Sequence, residues 1–139
     1  SLSKVMGEEM ARQFCRRNPN MKIIGLRYSN IMEEKDYKLF KDFQDDPYLR
    51  KWNFWGYIDS RDVGQACLLS LQSDLKGADN FIIAANDTVM EKSNTELLNE
   101  VFPNINIKKE VGTNDTLLSI EKAKKILGFN PEYTWKNCV

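Results

Sequence analysis

Two short apolar runs, set between longer stretches of helical periodicity, constrain the fold of this chain more than any other feature. Residues 22–26 (KIIGL) and 81–85 (FIIAA) contain β-branched side chains and are too short for buried helices. Each run is therefore predicted to be a buried strand. Because the strands alternate with helical segments, the sequence predicts an α/β fold.

The first predicted helix carries an apolar stripe. Leu2, Met6, Met10 and Phe14 recur every four residues, and the pattern predicts a helix that ends near Pro19. Three further helices are predicted, from Asp59 or Ser60 to a point before Gly77, from the capping box Ser93–Glu96 to residue 102, and over residues 119–127 with Gly128 after them. Residues 33–51 are predicted to form one short helix and a loop around Pro47, and residues 105–109 an edge strand.

The composition excludes several classes of chemistry. The 139 residues include no histidine, which rules out Ser-His-Asp and Cys-His catalysis and His-ligated zinc within this chain. Twenty basic residues balance twenty acidic ones and leave no net field to attract nucleic acid or an anionic membrane. We therefore expect no metal site, no nucleic-acid partner and no membrane partner.

The cysteines and the hydropathy pattern indicate a compartment. Cys15, Cys67 and Cys138 are far apart and form no C-x-x-C pair, which fits a reducing environment better than a disulfide framework. The longest apolar run, residues 81–85, is far shorter than the ~18 residues expected of a membrane span. The N-terminus shows no secretory signal pattern. A soluble, cytoplasmic protein is expected.

Five short motifs follow one another in a recognisable order. They are Ser3-Lys4-x-x-Gly7-Glu8, residues 26–30 (LRYSN), residues 57–63 (YIDSRDV), residues 81–85 (FIIAA) and residues 118–123 (LSIEKA). Together they resemble the C-terminal part of the NAD-dependent epimerases and dehydratases, the extended branch of the short-chain dehydrogenase/reductase superfamily. The resemblance covers nearly the whole chain, and its strength comes from the five motifs in sequence.

The resemblance implies a fold, a division of the chain and a cofactor. The fold would be the C-terminal portion of a Rossmann-type short-chain dehydrogenase/reductase with a small α/β substrate-binding region. Residues 1–30 would end the Rossmann-type core with its Tyr-Lys helix and the following strand, and residues 31–139 would form the substrate-binding region. The intact protein would use NAD or NADP to transfer hydride on a small molecule, either a sugar nucleotide or a related carbonyl or alcohol compound.

Lys4 is the candidate catalytic residue. The family signature is Tyr-x-x-x-Lys, and matching Lys4 to its lysine places the tyrosine immediately before Ser1. Residues four apart share a helix face, so the ammonium would lower the phenol pKa and prepare the tyrosine for proton transfer. The resemblance also implies that Lys4 binds the nicotinamide ribose; the alternative is a solvated helix lysine. Without that tyrosine and a glycine-rich loop, the 139-residue chain alone is expected to be inactive and to bind NAD negligibly.

The residues after the first predicted strand are the candidate ligand contacts. The resemblance implies that Tyr28 and Ser29 contribute to the nicotinamide pocket and that Asn30 contacts substrate phosphate. Arg27 is a further candidate cofactor contact, as a clamp for an anionic group. Arg27 could instead pair within the fold, and Asn30 could simply form a turn. Asp59 and Asp62, near the start of a helix, are interpreted as structural.

The aromatic cluster in residues 52–57 supplies two further candidates. The four aromatic residues of the cluster, Trp52, Phe54, Trp55 and Tyr57, could stack on a sugar or a base, and Trp55 and Tyr57 are the candidate substrate contacts. Such clusters also form cores or subunit contacts. Trp55 stands where the sugar-nucleotide enzymes carry a diphosphate-binding arginine, and residues 31–34 (IMEE) replace the family's Val-Tyr-Gly-Pro. These departures weigh against a UDP-sugar substrate.

Two functional hypotheses and one assembly follow. The first is an NAD(P)-dependent epimerase or dehydratase-like oxidoreductase, and the alternative is a non-catalytic dinucleotide- or ligand-sensing protein with the same fold. The resemblance also implies a homodimer built on the first helix, for which Met6, Met10 and Phe14 are suitable contacts. The competing interpretation packs these three side chains on the chain's own sheet.

Overall fold

The computed structural model describes residues 2–138 as a mixed α/β structure with about 47% helix. In chain order the elements are α1 (Leu2–Arg17), β1 (Lys22–Tyr28), β2 (Asn30–Met32), β3 (Tyr57–Asp59), α2 (Ser60–Gln72), β4 (Gly77–Ile83), α3 (Asn94–Val101) and α4 (Glu121–Leu127). Three 3₁₀ helices are also present in this range, at Glu34–Phe43, Pro47–Asn53 and Trp135–Asn137. The predicted α/β class is confirmed at this level.

All of the described strands pair in parallel. β1 and β4 pair along their whole length, from Lys22 opposite Gly77 to Tyr28 opposite Ile83, and β2 pairs with β3. Parallel strands need long crossover connections, which the intervening helices provide. The predicted boundary between residues 30 and 31 falls inside β2, and β1 and β4 pair across it. The division of the chain at that boundary stays a prediction.

The helix ends follow the sequence closely. The Asp59 carboxylate caps α2 by accepting a hydrogen bond from the Arg61 N–H at 2.8 Å. Ser93 and Glu96 form the capping box of α3. Gly128 ends α4 with a φ of 71°, in the left-handed region that glycine tolerates. All three predicted caps are confirmed.

Three predicted elements differ from the structure. Residues 33–51 fall into two 3₁₀ helices, because Asp46 caps a new start at Pro47. The strand predicted at residues 81–85 is β4, which covers Gly77–Ile83 instead, because its pairing with β1 begins at Gly77. The predicted strand over residues 105–109 is wrong: Ile105 and Ile107 are exposed, and the backbone there joins no sheet.

Two apolar clusters form the core of the described structure. One gathers the rings of the 3₁₀ helices, β3 and the C-terminal segment, including Tyr37, Phe40, Trp55, Tyr57 and Trp135. The other joins β3 and β4 to α2 and α4, through Ile58, Ala66, Phe81, Ile83, Ala123 and Phe129. The two clusters meet at β3, whose residues alternate between them, so this strand is buried throughout.

Helix α1 turns its apolar stripe to solvent. Met6, Met10 and Phe14 are 55%, 54% and 49% exposed, whereas Ala11 is partly covered and Cys15 is buried on the side of α1 that packs on β1 and β4. The interpretation that packs the stripe on the chain's own sheet is therefore wrong.

Within residues 2–138, every helix is too short or too polar to cross a membrane.

Candidate ligand-binding cleft

A cleft of about 300 Å³ opens at the carboxyl end of β1. Its lining residues are Arg27, Tyr28, Ser29, Asn30, Trp52, Asn53, Ile82 and Leu118. Residues 27–30 are the consecutive residues that the sequence predicted as ligand contacts, and all four line this cleft. In open α/β sheets, ligands bind at the carboxyl ends of the strands. This carboxyl-edge cleft is therefore the candidate functional site.

Two polar atoms of the cleft residues are buried without a hydrogen-bond partner. They are the hydroxyl oxygen Oγ of Ser29 and the amide oxygen Oδ1 of Asn53. The amide nitrogen of Asn53 donates to the Gly56 carbonyl at 2.8 Å, which fixes the amide while its oxygen stays unpaired. A buried polar atom without a partner costs about 1–3 kcal/mol, and native proteins keep few of them. A ligand that reached both side chains would remove that cost.

Arg27, the cationic residue of the cleft wall, is already paired. Its Nε and one terminal nitrogen donate to the two carboxylate oxygens of Glu8 at 2.7 and 2.6 Å. The hydrogen bonds from Arg27 hold the pKa of Glu8 below its ordinary value, so both groups are charged at neutral pH. The Arg27–Glu8 ion pair matches the alternative prediction, in which Arg27 pairs within the fold. Contact of Arg27 with a cofactor stays a prediction.

Lys4 lies on α1, one helical turn before Glu8. Glu8 pairs with Arg27, which lies near the carboxyl end of β1. The Lys4 side chain is exposed and does not line the carboxyl-edge cleft. Its catalytic role stays a prediction.

The Tyr28 phenol is held against α2. Its hydroxyl lies 3.2 Å from the Sγ atom of Cys67. Burial, together with the neighbouring thiol, raises the pKa of Tyr28 well above its ordinary value. Tyr28 therefore stays protonated near neutral pH, where it can exchange hydrogen bonds but does not act as a base.

Trp55 and Tyr57, the predicted substrate contacts, are fully buried and do not line the cleft. The Trp55 indole N–H donates to the Pro47 carbonyl at 2.7 Å, and the Tyr57 hydroxyl donates to Asp87 at 2.8 Å. Both rings belong to the apolar core, as the alternative interpretation of the aromatic cluster had it. Their polar atoms are already bonded inside the protein.

Trp52 lines the cleft and was predicted only as one member of the aromatic cluster, whereas Asn53 is a cleft residue that the sequence did not single out. The backbone reverses directly after them, since Phe54 and Trp55 adopt left-handed φ values of 50° and 56°. This reversal sends Trp55 into the core and leaves Trp52 67% exposed. Residues other than glycine rarely adopt a left-handed conformation, so the residue types of this segment do not predict the reversal.

Asp59 and Asp62 serve the fold, as predicted. Asp59 is fully buried and bonded to Tyr37 and to two nitrogens of the Arg61 guanidinium, at 2.8 and 2.9 Å. Burial opposes its ionisation, but these hydrogen bonds outweigh burial and lower the pKa of Asp59. Asp62 accepts the N–H groups of Glu132 and Tyr133 at 3.0 and 3.1 Å, and burial raises its pKa despite them.

Two other depressions are larger but less suited to a ligand. One of about 480 Å³ lies between the end of α2 and α4, and one of about 590 Å³ lies beside residues 109–121. Neither is lined by any of the buried, unpartnered side-chain atoms found in residues 2–138. In the same range, no group of three or more Cys, Asp or Glu side chains is placed to hold a metal ion.

Comparisons with protein-family models, with curated proteins and with solved structures found no match to this chain. The functional interpretation therefore depends on the motifs and on the geometry of the cleft.

Proposed function

We propose that this chain is the substrate-side part of an NAD(P)-dependent epimerase or dehydratase-like oxidoreductase with a Rossmann-type short-chain dehydrogenase/reductase fold. The observation that carries the proposal is the meeting of Arg27, Tyr28, Ser29 and Asn30 at the carboxyl end of a parallel strand, in a cleft with an unpartnered Ser29 hydroxyl. A site of this kind suits a small polar molecule beside a nicotinamide ring.

The proposed roles follow the positions of the residues. Tyr28 and Ser29 line the nicotinamide side of the cleft, and Asn30 donates to the substrate through its uncharged amide. Lys4 binds the nicotinamide ribose and lowers the pKa of a tyrosine that the intact protein supplies from the preceding helical turn. Bound NAD or NADP would supply the hydride chemistry.

The exposed stripe of α1 supports a homodimer. Met6, Met10 and Phe14 form an apolar surface on a helix that packs on the chain's own sheet through its opposite side. Methionine and phenylalanine adapt well to helix–helix contacts, and two copies of α1 could bury the stripe against each other. The proposed setting for this assembly is the cytoplasm.

The residues encoded before Ser1 test the proposal directly. We expect a tyrosine immediately before Ser1 and a glycine-rich strand-turn-helix farther upstream. In the longer polypeptide, Lys4→Met should lower kcat about 100-fold, because the phenol then loses the cation that keeps it reactive. Lys35→Met, which removes an exposed lysine outside the cleft, is the matched control and should leave kcat unchanged.

Titration of the 139-residue chain with NAD and NADP gives a second test. Calorimetry should detect no binding, because the chain lacks a glycine-rich loop to receive the pyrophosphate. Micromolar affinity for either dinucleotide, or the absence of an upstream tyrosine, would contradict the proposal.

One observation favours the second candidate, a non-catalytic ligand-sensing protein. Within residues 2–138 the cleft lining contains no carboxylate, and burial raises the pKa of Tyr28 and keeps it protonated near neutral pH, so no side chain of the lining serves as a general base. A longer polypeptide that binds dinucleotide but turns over no sugar nucleotide or related alcohol would support this candidate. Turnover would exclude it.

A further inference from the structure

Trp52 presents a large aromatic surface at the carboxyl-edge cleft. Its side chain is 67% exposed, whereas Trp55 and Trp135 are almost entirely buried. The guanidinium carbon of Arg50 lies 5.6 Å from the centroid of the Trp52 ring, and the same group lies 4.9 Å from the Phe43 ring. Because Arg50 is itself buried, it holds one side of the indole in place and leaves the rest open.

The segment that carries Trp52 is fixed from the protein side. Trp55 anchors it through the hydrogen bond of its indole N–H to the Pro47 carbonyl at 2.7 Å. The Gly56 carbonyl accepts from Asn53 Nδ2 at 2.8 Å and from Arg50 at 3.4 Å, which ties the 3₁₀ helix to the turn after it. A ring held in this way loses little conformational entropy when a ligand stacks on it.

Apart from Arg27, the polar side chains that line the cleft beside Trp52 are uncharged, and the buried Arg50 does not line the cleft. Asn53 Oδ1 is an acceptor without a donor, Ser29 Oγ can donate or accept, and both atoms lack protein partners. Asn30 adds a third uncharged side chain to the same wall. The positive charge of Arg27 is neutralised by Glu8. The wall therefore offers hydrogen bonds to hydroxyl groups and little attraction to a phosphate.

We propose that Trp52 is the stacking platform of a subsite for an uncharged, hydroxyl-bearing ring, a sugar ring without a phosphate group. The C–H face of such a ring meets the negatively polarised face of the indole, and its hydroxyl groups reach Asn53 and Ser29. A volume of about 300 Å³ suits one ring but not a whole sugar nucleotide. This inference rests on the proposed use of the cleft for substrate and names the class of substrate.

Saturation-transfer NMR with the 139-residue chain and methyl β-D-glucopyranoside tests the proposal. We expect saturation to reach the C–H protons of one face of the sugar ring and acrylamide quenching of the exposed tryptophan to fall. Trp52→Ala should weaken binding about tenfold, as expected for one lost stacking contact, and Trp52→Phe should retain most of it. Leu71→Ala, which removes an exposed apolar side chain on α2 outside the cleft, is the control and should change nothing.

Glucose 1-phosphate is the charged comparison probe. We expect it to bind no more tightly than the methyl glucoside, with no dependence on salt. Tighter, salt-sensitive binding of the phosphate ester, equal binding by Trp52→Ala, or no binding of either probe would overturn the proposal. The readout involves neither dinucleotide nor turnover, so its failure is distinguishable from failure of the proposed hydride-transfer function. Trp52 is largely exposed, and a thermal melt of Trp52→Ala checks that the variant folds.

Discussion

Strands β3 and β1 both end in polar residues, and the two ends are constructed differently. At the end of β3, Asp59 is buried and every hydrogen bond that it can accept is taken up by Tyr37, Arg61 and the first turn of α2. At the end of β1, Ser29 lies in a cleft wall and its hydroxyl has no partner in residues 2–138.

The difference separates a polar group whose hydrogen bonds are complete within the fold from one that the fold leaves unpaired. A buried carboxylate survives only when its partners replace water, so the Asp59 network must be complete for this protein to fold. The Ser29 hydroxyl contributes nothing of this kind to stability, since it bonds to no protein group. Substitutions at the two strand ends should therefore have opposite consequences.

The largest effect is expected for Asp59→Ala. The variant leaves Arg61 and Tyr37 without their acceptor and removes the cap of α2, so we expect a loss of about 3 kcal/mol in the free energy of unfolding. Urea denaturation measures it. Asp46→Ala is the matched control, because it removes an exposed cap of a 3₁₀ helix without a buried ion pair and should cost about 1 kcal/mol or less. Equal losses would show that the Asp59 network is not special.

An intermediate effect is expected in the pH dependence of stability. The lowered pKa of Asp59 means that its contribution is present above the ordinary pKa of aspartate, 3.8, and is lost as the pH falls through the folded-state value. The raised pKa of Asp62 has the opposite sign, so its cost at neutral pH is relieved as the pH falls toward 3.8.

Urea denaturation between pH 3 and pH 7 separates the two carboxyl groups. Relative to Asp59→Asn, the unsubstituted protein should lose stability on acidification below about pH 4; relative to Asp62→Asn, it should gain stability as the pH approaches 4 from above. The same pH dependence for both comparisons would contradict the opposite pKa shifts of Asp59 and Asp62.

The smallest effect is expected for Ser29→Ala. The hydroxyl is buried and makes no hydrogen bond in the described structure, so its removal relieves a cost and should raise the free energy of unfolding by about 1 kcal/mol or less. Tyr57→Phe is the matched control, because it removes a buried hydroxyl that is bonded to Asp87 and to the Trp135 N–H, and should cost about 1–2 kcal/mol. A large loss in Ser29→Ala would place Ser29 with the structural groups.

Sequence reasoning succeeded where a local interaction decides the structure. The Asp59 cap, the Ser93–Glu96 box and the end of α4 at Gly128 each depend on a few neighbouring residues, and all were predictable. The position of residues 27–30 at a strand end was also predictable, because the apolar run before them is short and β-branched. The role of these residues in cofactor binding stays a prediction.

The remaining features depend on contacts between distant segments. Which tryptophan faces the cleft is decided by two left-handed residues, Phe54 and Trp55, and by packing that the local sequence does not encode. The direction of the α1 stripe is likewise set by what packs on the other side of the helix. The alternation of Ile105 and Ile107 predicted a strand, yet no neighbouring strand in the described structure accepts it.

The parallel pairing of the strands also has a kinetic consequence. β1 cannot find β4 until the chain between them, including the whole of α2, has been drawn back across the sheet, and β2 and β3 are also far apart in sequence. Loop closure of this kind must precede any gain from the contacts, so parallel sheets fold slowly. Until the strands pair, the exposed apolar β1 segment can associate with other chains. We therefore expect the refolding yield of this protein to fall as its concentration rises.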